Sequence, residues 1–263
     1  MSFDLSFVVE TFPLVLAAVP VTLLMVVVAA PIGWVLGFLM AQCRVNRVPV
    51  LSQLVAVFVS MMRSVPEVVL LYVMYYLMPV VLYNYFMSIG LTVDVASVPA
   101  IVFAIVTFSL NQSAYASEVF RSAISAVDTV QLEAAYSVGM TKFQAMVRII
   151  LPQAIVSAIP NLNGLFVGLM QGTSLAYFVG VHEVMATSIV AANQSYSYLE
   201  AYLLTTIIYE VLSYIINRVF RVVERRAGRF RTGGKPQPRK AGDKGAGAPA
   251  APAAQAETAV VVA

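Results

Sequence analysis

The sequence predicts an all-α integral membrane protein. Five transmembrane helices are expected, with a short helical pair in one cytoplasmic loop. Three observations carry this. The chain is 60% hydrophobic and only 11% charged, with a mean hydropathy of +0.85, whereas soluble domains are nearer half apolar and a quarter charged. Its apolar runs are long enough to cross a bilayer as helices, and they lack the period-2 alternation of a barrel. The 16 Lys and Arg residues are distributed on one side of the chain's predicted path.

The first apolar run is 13–42, ending at Arg44 and Arg47. A run from Pro49 to Met62 is too short to span comfortably. It reads either as the first turns of a broken helix entering at Pro66 or as an interfacial helix. The second span is 66–87, followed by a polar stretch with Asp94. The third is 98–117, ending at Glu118 and Arg121. A loop at 128–148 precedes the fourth span, 149–170, which Pro152 and Pro160 interrupt. A mixed stretch with His182 and Glu183 leads to the fifth, 199–220, which runs into Arg218, Arg221, Arg225 and Arg226. Together 13–228 form the membrane domain, preceded by an outer segment, 1–12.

With the N-terminus outside, Arg44, Arg47, Arg63, Arg121, Lys142, Arg148 and all cations from Arg218 onward lie at the cytoplasmic face. The outer connections carry Asp94, Glu183 and Glu200 instead. That asymmetry is the positive-inside pattern of a plasma or inner membrane protein. From residue 229 the chain turns to Gly, Pro, Ala, Lys and Gln, which cannot bury enough apolar surface to offset chain entropy. The tail 229–263 reads as disordered and cytoplasmic, its basic half suited to anionic lipid. The first 43 residues hold no Lys or Arg, so they lack the positive n-region of a cleavable signal. One cysteine, Cys43, excludes an intramolecular disulfide and reads as a small buried apolar residue.

The loop before the fourth span holds more local order than a connection needs. Asp128 stands three residues before Gln131, and Thr141 three before Gln144. Both read as capping boxes that start helices. Gly139 lies between, where positive φ ends a helix. Ala134 and Ala135 remove bulk so that another protein can approach, and Glu133 adds a charge. No G-x-x-x-x-G-K-[ST] occurs, so ATP hydrolysis is not expected on this chain. Neither H-E-x-x-H nor G-x-S-x-G occurs, which weakens an enzyme reading.

Polar residues in apolar spans are costly and often functional. Asn111, Gln112, Ser113, Glu118, Asn161, Asn163, Gln171, Thr173, Ser174 and Glu210 are such positions. Asn111 and Gln112 suit either interhelical hydrogen bonding or the lining of a path. The doubly proline-broken fourth span, with Asn161, Asn163 and Gln171, is the expected site of substrate contact. Glu67, just after Pro66, reads as a charge favoured by the helix dipole. His182, a lone histidine, has too few partners for a metal site and reads as a loop residue.

The segments Arg63-Ser64-Val65-Pro66, Ser109-Leu110-Asn111-Gln112-Ser113-Ala114-Tyr115, Glu118-Val119-Phe120-Arg121, Gln131-Leu132-Glu133-Ala134-Ala135, Gly139-Met140-Thr141, Ile150-Leu151-Pro152-Gln153-Ala154 and Gly180-Val181-His182-Glu183-Val184 stand out together. They resemble the permease subunits of ABC importers, specifically the polar amino-acid uptake (histidine/glutamine) type, over about residues 15 to 226. The resemblance implies the type I importer permease fold. It implies an ATPase-coupling loop at Glu133, Ala134, Ala135, Gly139 and Met140. It implies a substrate pathway, for which Asn111, Gln112, Asn161, Asn163, Gln171, Thr173 and Ser174 are the candidates. Its implied partners are ATP-binding cassette subunits that carry the ATP and Mg, a second permease subunit making a homo- or heterodimer, an extracytoplasmic solute-binding protein and membrane lipid, with no nucleic acid. A cofactor on this chain itself is not expected. The implied cargo is a polar amino acid or related small solute.

The chain departs from the family pattern at four places. Ser64-Val65 replaces Gly-Thr, Gly164 replaces Asn, Gln171 replaces Lys, and Gly172 replaces an acid or amide. All lie outside the coupling loop, so they bear on the substrate path and suggest the less substrate-engaged half of a heterodimer. The alternative class is a self-contained secondary transporter or channel, which would need coupling ions and usually more spans or internal repeats; no repeat is visible.

Overall fold

A computed structural model describes residues 3–231; most of the 229–263 tail lies outside the described residues. Helix α1 is Leu5–Val45, α2 Leu51–Ser64, α3 Glu67–Ser88, α4 Ala100–Ser125, α5 Thr129–Ser137 and α6 Lys142–Ala145. A π-helical turn, Met146–Ile150, leads into α7, Leu151–Gly172, and a 3-10 segment, Thr173–Val179, follows. Helices α8, Val184–Ser195, and α9, Tyr198–Arg231, complete the described chain. Among the described residues, five segments are long and apolar enough to cross a membrane: Leu5–Val45, Glu67–Ser88, Ala100–Ser125, Lys142–Val179 and Tyr198–Gly228.

Helix α1 starts eight residues before the apolar run, because Asp4 caps it by accepting from the N–H groups of Ser6 and Phe7 at 3.0 and 3.2 Å. Residues read from sequence as a separate outer segment are therefore mostly helical. At 41 residues the helix is about 62 Å long, twice the apolar thickness of a bilayer. One seam of α1, Thr22, Val26, Ala29, Gly33, Gly37 and Ala41, is buried. This is a helical stripe of small residues, repeating every three or four positions. Helix α4 packs along that seam as the most extensive helix pair of the fold, and α4 is the most buried of the spanning segments.

Two apolar clusters stack along this pair. One joins Met25, Ala29, Leu71, Phe108, Leu169 and Met170. The other joins Ala41, Phe120, Ile124, Ile150, Ala158 and Leu162, with Leu132 of α5 packed on it. At the end of the second cluster, Glu118 accepts from Arg44 and from Arg121, the latter through Nε and Nη2 at 2.9 and 2.7 Å. This locks the end of α1 onto α4.

Two expectations are corrected here. The fourth span is not broken at its prolines. Pro152 is the second residue of α7, directly after the π-turn Met146–Ile150, so the N–H it lacks falls where the helical ladder is already irregular, and the helix continues through Pro160 to Gly172. Its irregularities are the π-turn and the 3-10 segment at its two ends. A break does lie between α2 and α3, at Ser64 to Pro66, as the broken-helix reading of the 49–62 run expected. The carbonyl of Met62 accepts from Nδ2 of Asn111 at 3.4 Å, midway along α4, so α2 ends level with the centre of the bundle. Arg63 is consequently level with the middle of α4, and not with its Arg121 end, where the charge pattern grouped the two.

Candidate functional site

Two features carry chemistry: the exposed helical pair α5–α6 and a cavity at the α2–α3 joint.

In the pair, Asp128 caps α5 by accepting from the Val130 N–H at 3.0 Å. Gln131 does not complete a capping box; its amide pairs with Gln153 instead, with Gln153 Nε2 donating to Gln131 Oε1 at 2.6 Å and the reverse bond at 3.4 Å. Helix α5 ends in a full Schellman motif. The Gly139 N–H reaches the Tyr136 carbonyl at 3.0 Å and the Met140 N–H reaches that of Ala135, also at 3.0 Å. Gly139 holds φ +81°, with nothing within 4 Å of where a Cβ would sit. Thr141 and Gln144 form the expected capping box of α6. Glu133 and Ala134 face outward, but Ala135 is buried, so its small side chain serves packing within the chain. Around them Val138 and Phe143 are 77% and 76% exposed, with Val130, Tyr136 and Val147 also exposed. Such an apolar patch on a polar-capped protrusion is what a docking surface looks like.

The cavity, about 430 Å³, is lined by Arg63, Glu67, Asn111, Gln112, Tyr115 and Gly168, among others including Gly164. Asn111 and Gln112 are both 5% exposed. Gln112 Nε2 donates to the Leu165 carbonyl at 3.4 Å, while its Oε1 is buried with no partner among the described residues. Arg63 stacks over the Tyr115 ring at 5.4 Å. Glu67 stands in the first turn of α3, where the helix dipole favours a carboxylate, as expected.

Of the seven pathway candidates the structure brings only Asn111 and Gln112 to this cavity. Asn163 turns to α9, where its Nδ2 donates to Asn217 Oδ1 at 2.7 Å. Asn161 and Gln171 are exposed elsewhere. The hydroxyls of Thr173 and Ser174 donate to the carbonyls of Met170 and Gln171 at 2.6 and 2.7 Å. Sequence reasoning missed Arg63, Glu67 and Tyr115 as cavity residues. The available signal was opposite charges flanking a proline break.

Glu183 was also missed. It is fully buried and caps α8, accepting from the N–H groups of Met185 and Ala186 at 2.9 and 2.8 Å and from the Tyr209 hydroxyl at 2.7 Å. Burial pushes its carboxyl above the ordinary value of 4.5 against those bonds. A carboxyl raised in the folded state favours the fold while protonated, and that contribution fades as pH rises through its folded value. Thermal stability in detergent is therefore expected to fall from pH 4.5 upward by a component that Glu183→Gln removes. A melting profile unchanged by the substitution contradicts this.

Residues 33–229 match the family model described as binding-protein-dependent transport system inner membrane component. The chain belongs to that family. The match spans α4, α5, α6 and α7, hence both the helical pair and the cavity. Among relatives, the chain is 40% identical over 222 residues to the probable amino-acid permease protein YxeN of Bacillus subtilis, covering 84% of this chain and 95% of that one. It is 33% identical over 235 residues to the L-cystine transport system permease protein TcyL of the same organism, covering 88% and 94%. Among solved structures, an amino acid ABC transporter crystallised with histidines superposes with a TM-score of 0.72 at 27% identity, over 86% of this chain and all of the other. A methionine ABC transporter in inward-facing form shares the fold, with a TM-score of 0.62 at 19% identity over 81% and 95%. This permease thus has the all-helical fold expected from its sequence.

Proposed function

We propose that this chain is the membrane permease subunit of an ATP-binding cassette importer for a polar amino acid or related small solute. It lies in the inner or plasma membrane with its N-terminus outside and its C-terminus in the cytoplasm. It pairs with a second permease subunit, receives solute from an extracytoplasmic binding protein, and is driven by ATPase subunits that hold the ATP and Mg. Family membership and the relatives named as amino-acid permeases support the cargo class.

The observation that carries the reading is the protruding pair α5–α6, capped at both starts, closed by Gly139 and surfaced with Val138 and Phe143. Closure of the ATPase dimer would move α5. The Gln131–Gln153 amide pair passes that motion to the foot of α7, whose Gly164 and Gly168 line the cavity. Chemistry on this chain is confined to binding and positioning.

Gly139→Asp tests the docking role. A side chain there meets open space, and Asp is among the residues that tolerate positive φ, so the permease stays folded. Expected is a monodisperse permease that no longer co-purifies with its ATPase. Retention of the ATPase at wild-type stoichiometry refutes the docking assignment. Solute flux in proteoliposomes with no ATPase would instead favour a self-contained transporter.

A further inference from the structure

Glu67 is the acidic group of the cavity that has only the start of a helix to favour it, with no hydrogen bond or ion pair among the described residues. Its carboxylate lies at the first residue of α3, level with the middle of the bundle, because α2 ends there. Both ion pairs among the described residues belong to Glu118, so Glu67 has none, and Arg63 of the same cavity is placed over Tyr115 instead. A half-buried carboxylate without a cation is expensive, and inside a membrane protein it marks a binding function. A second, independent acceptor lines the same cavity: Gln112 Oε1, on α4, is buried without a donor among the described residues. Two acceptors without donors call for a ligand rich in N–H.

The position of the carboxylate has a cause in the chain. A Cβ at Gly172 would come 3.1 Å from Glu67 Oε2. The carboxylate therefore lies against the bare backbone of residue 172, where a side chain would push it aside by a few tenths of an ångström. Gly172 itself is in ordinary helical conformation, φ −64°, so its lack of a side chain is not a backbone requirement.

We infer that Glu67 is the residue that recognises a primary ammonium group on the transported solute, and that Gly172 is the specificity-determining position that lets its carboxylate face the cavity. Gln112 Oε1 is a second acceptor available to the same ligand. The assignment rests on the reading of the cavity as part of the solute route. It also revises the suggestion that departures at 172 leave this subunit less engaged with substrate.

The complete importer, reconstituted in proteoliposomes with its ATPase and binding protein, is tested with labelled L-amino acids as probes. The wild type carries at least one of them. Glu67→Gln lowers its initial uptake about tenfold, the effect of losing one charge-assisted hydrogen bond, with ATPase association unchanged. Gly172→Ala, which favours the helix, lowers uptake as well, but adds nothing to Glu67→Gln, because the alanine acts only through the carboxylate it crowds. Wild-type uptake by Glu67→Gln, additive losses in the double variant, or a wild-type importer that carries no ammonium-bearing probe while its ATPase is bound and active overturns the assignment. A wild-type chain that binds no ATPase overturns the importer reading itself, and this inference with it.

Discussion

Gly37→Leu is expected to separate α1 from α4 and to abolish recovery of a monodisperse permease in mild detergent. The reason is where the two helices touch. A Cβ at Gly37 would lie 2.7 Å from the Ala116 Cβ, 2.8 Å from the Ser113 carbonyl oxygen and 2.8 Å from the Ser117 nitrogen. Two of these three are backbone atoms, which no rotamer change can move aside. Between membrane helices, lipid is as apolar as the side chains, so association depends on close packing of small residues. Pushing the pair apart loses that packing along the whole seam. Overpacking of a single well-fitted site costs about 1–3 kcal/mol, and a leucine at this crossing adds three further carbons. Gly33 meets the same surface, 2.6 Å from the Gln112 Cβ and 2.8 Å from the Ser109 oxygen, so Gly33→Ala should also displace the Gln112 amide from the cavity. Gly164→Ala is the matched control: nothing lies within 4 Å of its Cβ position, and alanine gains up to about 1 kcal/mol of helix propensity. Melting temperatures in detergent decide the matter. Equal tolerance of leucine at 37 and alanine at 164 would show that the α1–α4 contact is looser than described.

Gln153→Ala is expected to uncouple ATP hydrolysis from transport while leaving the ATPase bound. Helix α5 has few anchors on the body of the chain: buried Ala135, partly buried Leu132, and the Gln131–Gln153 pair. The Gln153 amide also donates to the Ile149 carbonyl at 2.9 Å, fixing it at the π-turn that joins α6 to α7. Removing either glutamine leaves a part-buried amide without its partner, a loss of about 1–3 kcal/mol. The double variant should lose less than the sum of the singles, since both remove one interaction. The exposed Val138 and Phe143, the proposed docking surface, lie elsewhere on the pair and remain. The measurement is ATP hydrolysis and solute uptake in the same proteoliposomes. Hydrolysis near wild-type with uptake lowered several-fold is expected, and partial recovery in Gln153→Glu, which keeps an acceptor for Gln131. Equal losses of hydrolysis and uptake, with the ATPase gone from the complex, would instead make the pair part of the docking surface.

Much of this molecule is local, and therefore legible in the chain alone. Composition and apolar run length determine that helices cross a membrane, because a bilayer leaves every backbone polar group to be satisfied within the segment. The α5–α6 unit follows from neighbours in sequence: Asp128 caps it, Gly139 supplies the positive φ of its Schellman end, and Thr141 with Gln144 closes the next start. Such motifs need no distant partner.

The cavity is different, since its walls come from α2, α3, α4 and α7. Asn163 and Gly164 are adjacent in sequence, yet one turns to Asn217 and the other lines the cavity. Which face of α7 meets which helix is decided by packing, so polarity alone pointed to Asn161, Asn163 and Gln171. Proline misled for a related reason: Pro160 sits in a helix that neighbouring helices sustain, whereas Pro66 marks the true break. Gly33 and Gly37 form a G-x-x-x-G pattern that was present to be read, but the atoms that make them necessary belong to α4, some eighty residues away. Sequence by itself determined the class, the number of spans and the capped helical pair α5–α6. Only the tertiary structure decided which polar side chains share a cavity, because that depends on contacts between residues that no local signal relates.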